Sequence, residues 1–206
     1  PGSLPGGFLI VPHPLVLDDI EDLRSYERGR QAYRQRIIDL KRRRRVAVGP
    51  LVTLVFENRE TMRFQVQEMA RAEKMVSDAQ VQTELDVYNA LLPTPEELSA
   101  TMFIELTDDA ALREWLPKLV GIERHLELRF PGGDVARARP EATHEEALTR
   151  PTMTASVHYL RFPVTAAQRS RLRAGPVAVA VTHDAYRHAT ELSGETRQEL
   201  WGDLDP

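Results

Sequence analysis

Two hydrophobic periods alternate along the chain. Between residues 18 and 40, Ile20, Leu23, Tyr33, Ile37 and Leu40 recur at three- and four-residue steps, the stripe of an amphipathic helix. Asp18 and Asp19 stand at its start and arginines at its end, as the helix dipole prefers, with Gly29 a weak point midway. Residues 46–57 (VAVGPLVTLVFE) are β-branched and apolar, which predicts one strand or two short ones broken at Gly49-Pro50. The helical period returns over 59–76 and 79–91, and Pro93 and Pro95 stop it. Thr94-Pro95-Glu96-Glu97 has capping-box spacing and predicts a short helix.

Residues 100–106 read as a strand, and Thr107 caps a helix to about Leu119. Over 122–130, Ile122, Arg124, Leu126, Leu128 and Phe130 alternate with polar residues, a strand with one wet face. Residues 131–152 lack a period and read as the longest loop. A strand over 153–162, a helix capped by Thr165, a strand over 177–183 and a helix from Ser193 to Leu200 complete the chain. This irregular alternation predicts an α+β fold: a mainly antiparallel sheet of about five strands with helices packed on one face.

Composition narrows the class. The chain has 206 residues, 42% hydrophobic and 28% charged, enough for one core. Residues 1–17 read as a tag scar (Pro1-Gly2-Ser3) followed by an extended arm, and 18–206 as a single α+β domain. Neither a membrane span nor a secretory leader is legible, so a cytoplasmic protein without a membrane partner is expected. Cysteine is absent, which excludes disulfides, thiolate zinc sites, cysteine-held iron–sulfur clusters and a cysteine nucleophile. Any metal would be held by carboxylates and the six histidines, a donor set suited to iron, manganese, magnesium or zinc.

The densest polar words run from the arginine block onward: RRRVAVGPLVTLVFENRET (43–61), QVQEMARAE (65–73), ELDVYNALLP (84–93), LSATMFIEL (98–106), HYLRFPVT (158–165) and VTHDAY (181–186). On these words, from about Asp18 to the C-terminus, the chain resembles a bacterial family, domain of unknown function 3501. The resemblance implies no activity. It implies redox or iron physiology, with a rubrerythrin-type or iron–sulfur oxidoreductase protein as partner.

Residue by residue, the 59–76 helix places Met62, Val66, Met69 and Val76 on one face with Glu73 among them and Gln65, Glu68 and Thr61 on its flank. A carboxylate in an apolar stripe needs a partner. Glu57 at a strand end and Glu84 on the next helix can approach the same place, where clustered carboxylates serve as acid/base groups or hold a hard cation. Candidate catalytic residues are therefore Glu57, Glu68, Glu84 and His158, with Arg59, Gln65, Arg71, Tyr88 and Asn89 lining a ligand. Glu68, His158 and His183 are the candidate ligands if iron or another divalent metal binds. The plain alternative is that these acids pair with Arg59, Arg63 or Arg71 and brace the helices, with Asn89 as a turn residue and His158 as a core histidine. His125 and His144 read as solvated, and His13, flanked by prolines, as loop.

Charge is uneven. Residues 24–45 carry ten basic side chains against two acids, +8 in a chain of net −4, so the remainder carries −12. The run Lys41–Arg45, with Tyr26 and Tyr33 nearby, can grip phosphates or simply complement the helix dipole. Nucleic acid is disfavoured by the overall acidity and the lack of a recognisable fold. No GxGxxG, P-loop, GxSxG or HExxH word is present. Two expectations remain open. One is a redox- or iron-linked enzyme or accessory that binds a metal or small ligand between the sheet and the 59–91 helices. The other is a non-catalytic interaction protein, a homodimer or a redox-partner dock, that uses the basic 24–45 helix.

Overall fold

A computed structural model describes residues 13–142 and 149–204. Its six α-helices among the described residues are α1 (Leu23–Arg44), α2 (Arg59–Ala72), α3 (Asp78–Asn89), α4 (Asp109–Trp115), α5 (Ala166–Ala174) and α6 (Gly194–Asp203). The strands are β1 (Arg45–Val48), β2 (Val52–Glu57), β3 (Glu97–Ile104), β4 (Leu126–Arg129), β5 (Val135–Arg137), β6 (Arg139–Pro140), β7 (Thr149–Arg150), β8 (Met153–Thr154), β9 (Val157–Pro163), β10 (Ala178–His183) and β11 (Tyr186–Glu191). The expected α+β class and five-stranded antiparallel sheet are present, in the order β1-β2-β3-β9-β6. A second antiparallel sheet, β11-β10-β4-β5, adds what the periodicity did not show.

The main core lies between the sheets. Even-numbered residues of the first sheet (Leu54, Phe56, Leu98, Ala100, Met102, Leu160, Phe162) meet Leu126, Leu128, Val179 and Val181 of the second. Odd-numbered residues turn the other way, toward α2 and α3. Both faces of β2 are thus covered, which is why VTLVFE reads as a continuous apolar run. The edges of the sheets are fastened by Tyr186. Its hydroxyl donates to the Val48 carbonyl at 2.7 Å and accepts from the Leu51 N–H at 2.9 Å, closing the β1–β2 turn. Gly49 sits in that turn at φ 71°, and a Cβ there would lie 2.4 Å from the His188 ring. Only glycine meets both demands.

Several boundaries differ from the sequence reading for local reasons. Asp18 and Asp19 form a short 3-10 turn, and α1 begins at Leu23 because Asp22 accepts from the N–H groups of Arg24 and Ser25. α2 stops at Ala72, and Lys74 takes a positive φ of 53°, so the helical wheel extended past the helix: Glu73 is an exposed cap and Val76 is exposed. Thr94-Pro95-Glu96-Glu97 is a tight turn rather than a helix. Thr94 and Glu97 exchange both backbone bonds, and Glu97 opens β3 by pairing with Pro163 of β9. Asp108 rather than Thr107 caps α4, and Ile122–Arg124 form a 3-10 turn before β4, leaving Arg124 exposed. The long loop contains β5, β6 and β7, and the strand expected over 153–162 is divided into β8, which pairs back onto β7, and β9. The tag scar, most of the arm and His144 lie outside the described residues.

Candidate functional site

Strand register builds a polar layer on the helix-facing side of the first sheet. Glu57 pairs with Ser99, Ser99 with Arg161 and Arg161 with Arg139, giving one row across β2, β3, β9 and β6. The adjacent row is Val55, Thr101 and Tyr159. α2 and α3 pack over this layer, and Glu57, Ser99, Thr101 and Arg161 are buried in it and must find partners there, while Arg139 at its edge is exposed.

Arg161 finds them away from Glu57. Its guanidinium donates to the carbonyls of Leu92 (3.0 Å) and Ala90, capping the end of α3, and lies 3.7 Å from the Glu97 carboxylate. Arg139 also pairs with Glu97. Glu57 is left with one bond: Oε1 accepts from the Thr101 hydroxyl at 2.7 Å. The residue is 4% exposed, and its Oε2 has no hydrogen-bond partner. A buried carboxylate without a counter-charge is costly, which makes this the least compensated acid of the layer.

Two phenols border it. Burial pushes the Tyr159 pKa up, with the Glu57 charge adding to the rise. Burial likewise raises Tyr88, followed by contributions from Tyr159, Glu84 and Glu57. Both therefore stay neutral at physiological pH. Of the residues singled out in the sequence, Glu57, Glu84 and Tyr88 come together here. Thr101, Tyr159 and Arg161 were missed. Their signal was the strand alternation, which puts Tyr159 and Arg161 opposite His158, Leu160 and Phe162.

The remaining candidates are spent on the fold. Glu68 accepts two bonds from Arg30, each 2.8 Å, and one from Tyr26 at 2.5 Å, latching α1 to α2. Arg30 holds its carboxyl below the usual range. Arg71 pairs with Glu27, and Arg59 with Asp19 at 2.6 Å and the His13 carbonyl at 3.2 Å. Asn89 exchanges two bonds with the backbone of Leu15, its Oδ1 accepting at 2.7 Å and its Nδ2 donating at 2.9 Å. Gln67 does the same with Glu21, each bond 2.9 Å. The buried glutamine of α2 is Gln67, whereas Gln65 is half-buried on the flank.

Glu68, His158 and His183 are not brought together. His158 Nε2 lies 2.8 Å from the Thr154 hydroxyl and 3.0 Å from the Ala155 carbonyl. A carbonyl only accepts, so this nitrogen carries the proton and is no base toward Thr154. Burial lowers the His158 pKa, against an opposing pull from Glu123, and the ring acts as a neutral brace of the β8–β9 turn. His183 packs edge-on against His125, with its Nε2 at 3.1 Å from the Val120 carbonyl. Among the described residues no three His, Asp or Glu side chains group to hold a metal ion.

The arginine run is divided by the helix turn. Arg44 is 0% exposed; it donates to the carbonyls of Phe56 (2.8 Å) and Glu57 (3.2 Å) and pairs with Glu199 and Asp203 of α6. Arg43 pairs with Glu199 at 2.7 Å and Arg45 with Glu105 at 2.9 Å. Tyr26 and Tyr33 are buried and offer no surface for base stacking. No described helix is long and apolar enough to cross a membrane.

Comparison with known proteins agrees with this fold and leaves the chemistry open. A crystal structure of a novel protein of unknown function from Burkholderia pseudomallei K96243 superposes with a TM-score of 0.85 at 34% identity. The match covers 94% of this chain and 100% of that one. No curated protein matches. The family model described as protein of unknown function (DUF3501) matches residues 14–204. The chain, matched over nearly all its length, belongs to the DUF3501 family.

Proposed function

We propose that the protein binds a small monocationic ligand, an amine in its ammonium form, between the first sheet and α2–α3. The observation that carries this reading is the unpartnered Oε2 of buried Glu57. One carboxylate supplies one negative charge, which a monocation balances and a divalent metal would exceed. An ammonium group has donors for the free oxygen, and neutral phenols such as Tyr88 and Tyr159 suit a cation with their rings. Hard divalent cations prefer several oxygen ligands, whereas Glu97 is taken up by Arg139 and Arg161, and no three acidic or imidazole side chains group here among the described residues.

Isothermal titration with n-butylammonium chloride tests this, with potassium chloride and sodium butyrate as controls. The wild-type protein is expected to bind the amine and not butyrate, and Glu57→Gln to weaken binding by about tenfold or more, since bonds to charged groups contribute about 1.5–3 kcal/mol. Equal binding by Glu57→Gln, or none by the wild type, would overturn the reading. Tight binding of potassium with none of the amine would replace the ammonium group by a bare ion.

A second reading, docking of an acidic surface, rests on α1. Arg24, Arg28 and Arg42 stand exposed along one stripe of that helix. Reversing these three to Glu should abolish salt-sensitive self-association in sedimentation velocity. A chain that sediments as a monomer at every salt concentration removes the homodimer form of this reading.

A further inference from the structure

We infer that residues 13–22 form a displaceable strap over the Glu57 site, and that the ligand is a short alkylammonium ion whose chain takes the seat of Leu15. The inference rests on the Glu57 reading and adds its ligand class and its gate.

The strap is attached differently from everything around it. Two side-chain amides hold its backbone: Asn89 at Leu15 and Gln67 at Glu21, two bonds each. Arg59 and Arg63 add bonds to Asp19, the latter through the Asp19 carbonyl at 2.7 Å. No bond in this set belongs to a sheet ladder, and the ion pairs lie partly in solvent, where such pairs contribute little. Of the strap's side chains only Leu15 is fully buried, at 1% exposure. It sits among Met62, Val66, Leu85, Leu91 and Leu92, and Tyr88 and Tyr159 pack against the same cluster.

The phenols thus touch the Leu15 cluster on one side and stand near Glu57 on the other. Closed, the site admits nothing, because Glu57 is buried. α3 is pinned to the sheet by Arg161 at the carbonyls of Ala90 and Leu92, so it is not the element that gives way. Lifting the strap withdraws Leu15, together with the partly buried Leu17 and Ile20 that pack against the same cluster, and the place of Leu15 becomes an apolar seat with room for a four-carbon chain leading toward a carboxylate. A butyl chain fills the seat, and its ammonium end meets Glu57. Strap and ligand then compete, and ligand affinity is reduced by the fraction of molecules whose strap is closed.

Amide hydrogen exchange at Leu15 and Glu21, with titration of n-butylammonium chloride, tests the competition. Saturating amine is expected to speed exchange at Leu15 in the wild type and leave it unchanged in Glu57→Gln. Asn89→Ala, which removes one clamp, is expected to bind the amine about tenfold more tightly, and Leu15→Ala should shift affinity the same way should Asn89→Ala fold poorly. Glu57-dependent binding with Leu15 still protected, and the same affinity in both strap variants, would overturn the strap while leaving the Glu57 site standing. Failure of the strap variants as well as the wild type to bind the amine would overturn both.

Discussion

Arg44 and Glu57 are two buried charged residues 13 positions apart, at the ends of α1 and β2, and their surroundings differ sharply. Arg44 distributes its donors over two carbonyls and two carboxylates, one of the carbonyls being that of Glu57 itself. The Glu57 side chain has one hydroxyl and one free oxygen. Equal burial therefore does not mean equal role. A saturated buried charge reads as structure, whereas a half-satisfied one carries a cost that the fold does not repay, and a ligand can.

The largest expected effect belongs to the saturated side. Arg44→Leu leaves Asp203 and two carbonyls unpaired, takes from Glu199 one of its two arginines, and should lower the free energy of urea unfolding by about 3–5 kcal/mol. If Glu57→Gln cost as much, the contrast would fail; removal of an uncompensated charge should instead leave stability within about 1 kcal/mol of wild type.

Next comes pH. Burial raises the Asp203 pKa from 3.8 to about 6, against the pull of Arg44. The folded state then binds the proton more tightly than the unfolded one, so this contribution to stability is complete below pH 3.8 and is lost as pH rises to about 6. Asp203→Asn should flatten the unfolding free energy across that window, by an amount on the order of 2 kcal/mol. An unchanged slope would show that Arg44 keeps Asp203 ionised throughout.

A smaller effect is expected at Glu68, a second saturated acid. Glu68→Gln breaks the paired bonds to Arg30 and should lower Tm by about 2–4 °C, without any change in amine binding. A loss of binding there would return Glu68 to the candidate site and blur the distinction between the two kinds of acid.

How much of this was legible follows from what periodicity encodes. The Gly49-Pro50 break, the strand ending at Glu57, the helix behind Thr165 and the layer between sheet and helices were visible because long apolar patterns fix them. The second sheet was hidden: β11 reads YRHATE, with one buried residue in six, and β5 is three residues long. Short or polar strands are specified by their neighbours, not by their own sequence. Glu57, Glu84 and Tyr88 were legible as neighbours, since strand end and helix face converge there. The strap's use of Asn89, Arg59 and Gln67 was not, because bonds spanning 46 to 74 residues leave no mark in local spacing. Arg161 was missed because its bonds to the end of α3 join residues 69 and 71 positions apart, which local spacing does not record.

Thermal unfolding of the wild type and Glu57→Gln, each with and without n-butylammonium chloride, tests the Glu57 site most directly. A ligand site predicts that Glu57→Gln unfolds at or above the wild-type temperature without amine, and that only the wild type gains stability when amine is added. A Glu57→Gln protein that melts well below wild type, with no amine-induced gain in either, would make Glu57 one more structural acid and contradict the proposal.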